Sequence, residues 1–274
     1  MSDDLGTTPI IADLKGRRVL VTGGSAGIGK ATALAFDKNG CKVAVLGRRK
    51  ERLDAVVNQM KHGLSVVADL TGGDAEMQRA VQEVIKAFGG LDIIVNSGGV
   101  MTEEMSGMTE AAFLSAIRLH VTGNLALIRA AEEELIKNKG AVVNVSSVAA
   151  IMPMGSPTMI SYGVAKAAQD TLTKNLAFEF ATKGVRVNSV LPAAIQTEIF
   201  EQMAEKQGKS VSDLMNHMAG MHAMKRVGQP EEIAAPIVFL ASNAASFITG
   251  QNLSIDGGCL MGYWFNAQPF NPEG

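Results

Sequence analysis

Cysteine is scarce in this 274-residue chain, which holds only Cys41 and Cys259, far apart and outside any Cys-x-x-Cys spacing. That excludes a disulfide scaffold and reads as two buried thiols of a reducing compartment. The four histidines, His62, His120, His217 and His222, share no metal-ligand spacing with one another or with cysteine, so no metal site is expected. There is no long basic run and the formal net charge is −2, which argues against a nucleic-acid partner. No uninterrupted apolar run approaches the roughly 18 residues of a membrane span. The acidic start Met1-Ser2-Asp3-Asp4 also lacks a charged-then-apolar signal pattern. The expectation is a cytoplasmic protein with no membrane partner. Internal repeats and low-complexity linkers are missing too, so nothing divides the chain into two domains.

What is present is 47% hydrophobic residues, 19% charged residues and 29 glycines, the mixture of a globular protein with many tight turns. Residues 1–14 are polar and carry Pro9, and they read as an N-terminal arm. The apolar run Val19-Leu20-Val21 leads into Thr22-Gly23-Gly24-Ser25-Ala26-Gly27-Ile28-Gly29, and helical spacing follows as far as Asn39-Gly40. Strand, glycine turn and helix in that order is the context in which such a loop binds a dinucleotide. Glycines let the backbone approach a pyrophosphate, and the N–H groups at the helix start supply donors. Gly23, Ser25, Ala26, Gly27, Ile28 and Gly29 are the candidate contacts.

Lys42 to Leu46 reads as the second strand and Gly47-Arg48-Arg49 closes it. An acid at that strand end would select NAD, whereas arginine suits the 2′-phosphate of NADP, so Arg48 and Arg49 point to NADP(H). Alternation continues with helix over 50–61, strand over 64–68 ending in Asp69, helix over 73–88 and strand over 93–95 ending in Asn96-Ser97-Gly98-Gly99. A long helix over 109–137, a strand over 141–145 ending in Ser146-Ser147, a helix over 160–182 and a strand over 185–191 complete the alternation. This pattern predicts a single-domain α/β fold over 15–260, a doubly wound Rossmann parallel sheet with helices on both faces. Chemistry should gather at the carboxyl ends of its strands. The stretch 196–224 breaks the alternation and is rich in methionine, consistent either with a substrate flap or with the ordinary core of a helical pair. A last strand spans 252–255, and the tail 261–274, with Tyr263, Trp264, Phe265 and Phe270, is expected to pack on a neighbouring subunit or beside the pocket.

Tyr162-Gly163-Val164-Ala165-Lys166 puts a phenol and an amine one helical turn apart on one face. A nearby cation favours phenolate, which would draw the tyrosine pKa down from about 10 and make Tyr162 an acid/base.

Taken in order, these motifs resemble the short-chain dehydrogenase/reductase family, from about Leu14 to Gly258. The resemblance implies that Asp69 and Leu70 contact adenine, that Asn96 and Gly98 line the cofactor groove, and that Ile195 and Thr197 hold the nicotinamide amide. It further implies that Tyr162 exchanges a proton with the substrate oxygen, that Lys166 lowers its pKa and binds the nicotinamide ribose, and that Ser147, rather than Ser146, holds the substrate oxygen. A homo-oligomer, tetramer or dimer, is implied as well, assembled through the helices over 109–137 and 160–182.

Some positions depart from the family. His120 stands where relatives carry asparagine, and it could serve the proton relay through its backbone or bring its ring to the proton path or substrate. Pro192-Ala193 replaces Pro-Gly, Asn96-Ser97-Gly98-Gly99 replaces Asn-Asn-Ala-Gly, and the stretch from Ser147 to Tyr162, with Pro153 and Pro157, is long. The leading expectation is an NADP(H)-dependent oxidoreductase of a small secondary alcohol or ketone with an apolar body. The alternative is a cofactor-binding regulatory or scaffold protein with a weakened relay. An enoyl reductase is disfavoured, because those relatives space Tyr and Lys further apart.

Overall fold

The strands are short, nearly continuous apolar runs, as expected of a parallel sheet buried on both faces. In the computed structural model, which describes residues 10–99, 105, 108–153 and 155–261, β1 (Arg18–Thr22), β2 (Lys42–Gly47), β3 (Gly63–Val67), β4 (Ile93–Asn96), β5 (Ala141–Val145), β6 (Arg186–Pro192) and β7 (Asn252–Ile255) form one sheet. Its order is β3-β2-β1-β4-β5-β6-β7, and every pairing is parallel. The chain reverses direction across the sheet between β1 and β4, which opens a crevice at their carboxyl ends.

One face is covered by α1 (Gly27–Lys38), α2 (Lys50–Val57) and α10 (Pro230–Ala241), through Phe36, Leu53 and Ile237. The other is covered by α3 (Asp74–Phe88), α5 (Gly123–Ala130), α6 (Glu132–Lys137) and α7 (Ile160–Ala181), through Met77, Leu127, Leu135 and Phe180. This is the doubly wound architecture that the alternation predicts.

The expected single helix over 109–137 is instead α4 (Glu110–Ile117), a π-helical turn (Arg118–Thr122), α5 and α6. The Gly123 N–H bonds back to the Arg118 carbonyl, the wide register of a π turn, and the Thr122 hydroxyl donates to that carbonyl at 3.2 Å. Gly123 sits under the Leu70 carbonyl, where a Cβ would collide. Apolar periodicity reads straight through such a bulge, which is why the sequence shows no break. Composition alone makes Glu110–Ala130 apolar enough to cross a membrane, yet Ala112, Ala116, Leu127 and Ile128 of that run are buried in the protein.

Residues 10–14, expected to be part of the arm, are tied to the fold. The Ile11 N–H donates to Asn39 Oδ1 at 2.6 Å, Ala12–Leu14 form a 3-10 turn, and Leu14 is fully buried in the core beside α1. The expectations for residues 1–9 and for the tail aromatics lie outside the described residues. The stretch 196–224 forms α8 (Ile199–Gln207) and α9 (Val211–Gly220). Met203, Met215 and Met218 pack there on Phe200, Ala204 and Leu214, so they serve the pair's own small core, while Met224 is exposed. Both cysteines are free and buried, and burial pushes the Cys41 thiol up to about 12.

Candidate active site

The turn from β1 to α1 borders the crevice. Gly23 has φ +65°, and a Cβ there would lie 2.8 Å from the Gly98 Cα, so two backbones touch where a side chain would separate them. The Gly98 N–H donates to Thr22 Oγ1 at 2.7 Å, joining this turn to the loop after β4. Among the described residues no side chain caps α1, whose first turn begins at Gly27, so the N–H groups of Gly27, Ile28 and Gly29 are open to an anion. Ser25 and Ala26 complete the turn, and Thr197 closes over it, with Cγ2 3.0 Å from where a Gly27 Cβ would be. Ile195, just after β6, is buried. A glycine-walled cradle with free helix donors fits a pyrophosphate.

On the β2 side of the crevice, Arg48 is exposed and its Nη1 lies 3.7 Å from Asp69 Oδ2. Arg49 is the N-cap residue of α2 and makes no side-chain cap bond. Asp69 accepts from the Thr71 N–H at 2.9 Å and from the Thr71 hydroxyl at 2.8 Å, and buried Leu70 packs below Gly98. Asn96 differs from what the family resemblance suggests. Its side chain is 1% exposed and donates inward to Asn144 Oδ1 at 2.8 Å, so it braces β4 on β5 instead of facing the groove.

At the end of β5 the two serines separate by direction. Ser146 is buried, with Oγ 3.4 Å from the Lys166 carbonyl and a hydrogen bond to Asp170. Ser147 is half-buried, accepts from the Ala149 N–H at 3.1 Å and hydrogen-bonds the Tyr162 phenol. This geometry favours Ser147 over Ser146. On α7, Lys166 Nζ lies 5.7 Å from the Tyr162 ring centroid. The amine donates to the Val145 carbonyl at 2.8 Å and to Gln169 Oε1 at 3.1 Å.

The electrostatics correct one expectation. Burial pushes the Tyr162 phenol up from its usual value, and the Ser147 hydrogen bond only partly opposes this. Burial brings the Lys166 amine itself down to about 7, with Asp170 opposing, and its hydrogen bonds go to Val145 and Gln169. His120, in the π turn, is fully buried and meets the Tyr162 ring edge-on at 5.3 Å. Burial first, and the Lys166 charge second, hold its imidazole well below the usual histidine value, so it is neutral. Its carbonyl accepts from Asn124 Nδ2 at 2.9 Å. Its ring fills the space left by Gly99, where a Cβ would come within 2.5 Å of His120 Cε1.

Sequence reasoning missed Gln169 and Asp170, which are buried beside Lys166, and Asn144 and Thr173, which are buried behind Gln169. Their signal was present: Gln169, Asp170 and Thr173 follow Lys166 at helical spacing, an unbroken polar stripe where a core-facing helix should be apolar.

A doubly wound sheet with a glycine cradle at its switch point, and a Ser-Tyr-Lys group at the neighbouring strand end, defines a dinucleotide-binding oxidoreductase fold. A family profile described as "Enoyl-(Acyl carrier protein) reductase" matches residues 23–259. Glucose 1-dehydrogenase of Gluconobacter oxydans (strain 621H) is 37% identical over 90% of this chain and 92% of its own. The 3-oxoacyl-[acyl-carrier-protein] reductase FabG of Rickettsia prowazekii (strain Madrid E) is 32% identical over 91% of this chain and 99% of its own. Ligand-free aldohexose dehydrogenase of Thermoplasma acidophilum superposes with a TM-score of 0.83 at 28% identity, covering 96% of this chain and 99% of that one. L-sorbose reductase of Gluconobacter frateurii, solved with NADPH and L-sorbose, gives a TM-score of 0.83 at 27% identity over 91% and 98%. The chain belongs to the short-chain dehydrogenase/reductase family, and it is an oxidoreductase of that family.

Proposed function

We propose that the protein interconverts a secondary alcohol and a ketone with NADP(H), using Tyr162 as the acid/base. The observation that carries this reading is the convergence of Ser147, Tyr162 and Lys166 at the end of β5, beside the glycine cradle. When bound, the nicotinamide supplies or takes the hydride. Tyr162 gives its phenolic proton to the carbonyl oxygen in reduction and takes it back in oxidation. Ser147, whose hydroxyl meets the phenol here, donates its one hydrogen bond to the same oxygen once substrate is present. Gly23 and the N-terminus of α1 hold the pyrophosphate, Asp69 and Leu70 border the adenine, the Gly98 backbone lines the groove, and Ile195 and Thr197 flank the nicotinamide amide. Lys166 reaches the nicotinamide ribose by exchanging one of its present acceptors for a ribose hydroxyl.

The NADP preference rests on charge. Gly47 leaves no acid at the end of β2, and the Arg48–Asp69 pair is exposed, worth at most about 1 kcal/mol, so the guanidinium is free to turn to a 2′-phosphate with Arg49 beside it. Turnover by an intact Ser147, Tyr162 and Lys166 set separates this reading from a regulatory or scaffold role. The deciding experiment follows NADPH absorbance over ketones, 3-oxoacyl thioesters, quinones and ketoses. Oxidation of NADPH by a ketone supports the reading, and no turnover with any class in either direction overturns it.

A homo-oligomer is also part of the proposal. Phe178 is 88% exposed on α7, five turns after Ile160 and on the same face. Ile160, Val164 and Ala167 of that face line a cavity of about 590 Å³ with Ile151 and Pro157. A two-fold axis near Thr171 would seat each Phe178 in the partner's cavity, an isologous contact.

A further inference from the structure

An ammonium carries donors and no acceptor, so each group that holds it must present an oxygen, and Gln169 therefore faces Lys166 with its carbonyl oxygen. Gln169 is 1% exposed and lies one turn beyond Lys166 on α7. Its main chain is braced in turn. The Gln169 carbonyl accepts from Thr173 Oγ1 at 3.0 Å, Thr173 Oγ1 accepts from Asn144 Nδ2 at 2.8 Å, and Asn144 Oδ1 accepts from Asn96 Nδ2 at 2.8 Å. A buried hydrogen-bond chain thus runs from β4 through β5 to the turn that carries Gln169 and braces its main chain, while the carboxamide's own bond goes to Lys166.

We propose that Gln169 is a positioning residue for the Tyr162–Lys166 pair, its carboxamide oxygen aiming the Lys166 ammonium and helping to keep it charged in a buried site. The inference rests on the reading of Lys166 as the functional partner of Tyr162. Among the described residues the titratable groups facing the amine are Tyr162 and Asp170 on its own helix and the neutral His120 from the π turn. The serines near it, Ser146 of the strand-end loop and Ser189 of β6, do not titrate in the working range. With burial bringing Lys166 to about 7, the amine stands near half-protonation at neutral pH, where one acceptor more or less changes its charge.

The test titrates Lys166 in the full chain by NMR of carbon-13-labelled lysine, the signal assigned with Lys166→Arg. Gln169→Met keeps the shape and removes the acceptor, and Gln169→Glu puts a carboxylate in its place. The Lys166 midpoint is expected to fall in Gln169→Met and to rise in Gln169→Glu, each by about one pH unit. In turnover, the alkaline limb of kcat/KM, where Lys166 loses its proton, should move in the same two directions. Gln169→Glu should also be several-fold faster than Gln169→Met at pH 8. A packing role alone would lower activity without moving the limb. A midpoint unmoved by both substitutions, in variants with parental circular dichroism and melting, overturns the proposal whether or not a substrate is known. Shifted midpoints in a protein without turnover support it and overturn only the functional reading.

Discussion

The imidazole of His120 stands edge-on to the phenol ring of Tyr162, with centroids 5.3 Å apart and planes at 83°. Its other side occupies the space that Gly99, at φ +134°, leaves open. Three positions in different elements are therefore one packing unit, and each can be tested through the others.

Gly99→Ala should destabilise the fold by about 2–3 kcal/mol, because the new methyl would meet His120 Cε1 at 2.5 Å and the backbone there disfavours an L side chain. In the His120→Ala background the steric part of that loss should disappear. Denaturant unfolding of the two single variants and the double variant measures the coupling, and strict additivity would refute the contact.

His120 also carries a pH signature. Its folded-state pKa lies well below the unfolded value of 6.5, so the unfolded chain takes up a proton first as pH falls. The stability it contributes is complete above about pH 6.5 and is lost progressively below that. The pH slope of stability between 6.5 and 5 should be shallower in His120→Asn, as read by urea midpoints across that range.

Tyr162→Phe removes the proton donor while keeping the ring that packs on His120. Turnover should fall by about 10²–10⁴-fold, with NADPH affinity, measured by fluorescence titration, within a few-fold of the parent. Undiminished turnover would rule out the acid/base role.

Arg48→Ala deletes the exposed guanidinium beside Asp69. The ratio of NADPH to NADH affinity should drop by about tenfold, equivalent to about 1.4 kcal/mol, with NADH binding little changed. An unchanged ratio would remove Arg48 from the 2′-phosphate site.

Phe178→Glu places a charge on the apolar face of α7. Light scattering should show the assembly reduced toward smaller species at micromolar concentration, with the monomer fold retained by circular dichroism. A mass unchanged from the parent would show that this face is not the contact.

Much of the sheet was legible in the sequence because its signals are local. β5 and β7 fall on the expected 141–145 and 252–255, and α7 begins at the expected residue, because apolar runs and helical spacing depend on neighbouring residues alone. The glycine turn and the Tyr-x-x-x-Lys pair were legible for the same reason. The π turn was not, since one extra residue in a helix leaves the apolar stripe nearly intact.

The amino-acid sequence by itself determined the alternation of strands and helices, the position of each motif at a strand end, and hence the family. Direction inside the core was decided only by tertiary structure. Asn96 turns in to Asn144, Ser146 turns away while Ser147 meets Tyr162, and Lys166 bonds Val145 and Gln169. These choices come from long-range burial and from the need of each buried polar group for a partner, and chain spacing encodes neither.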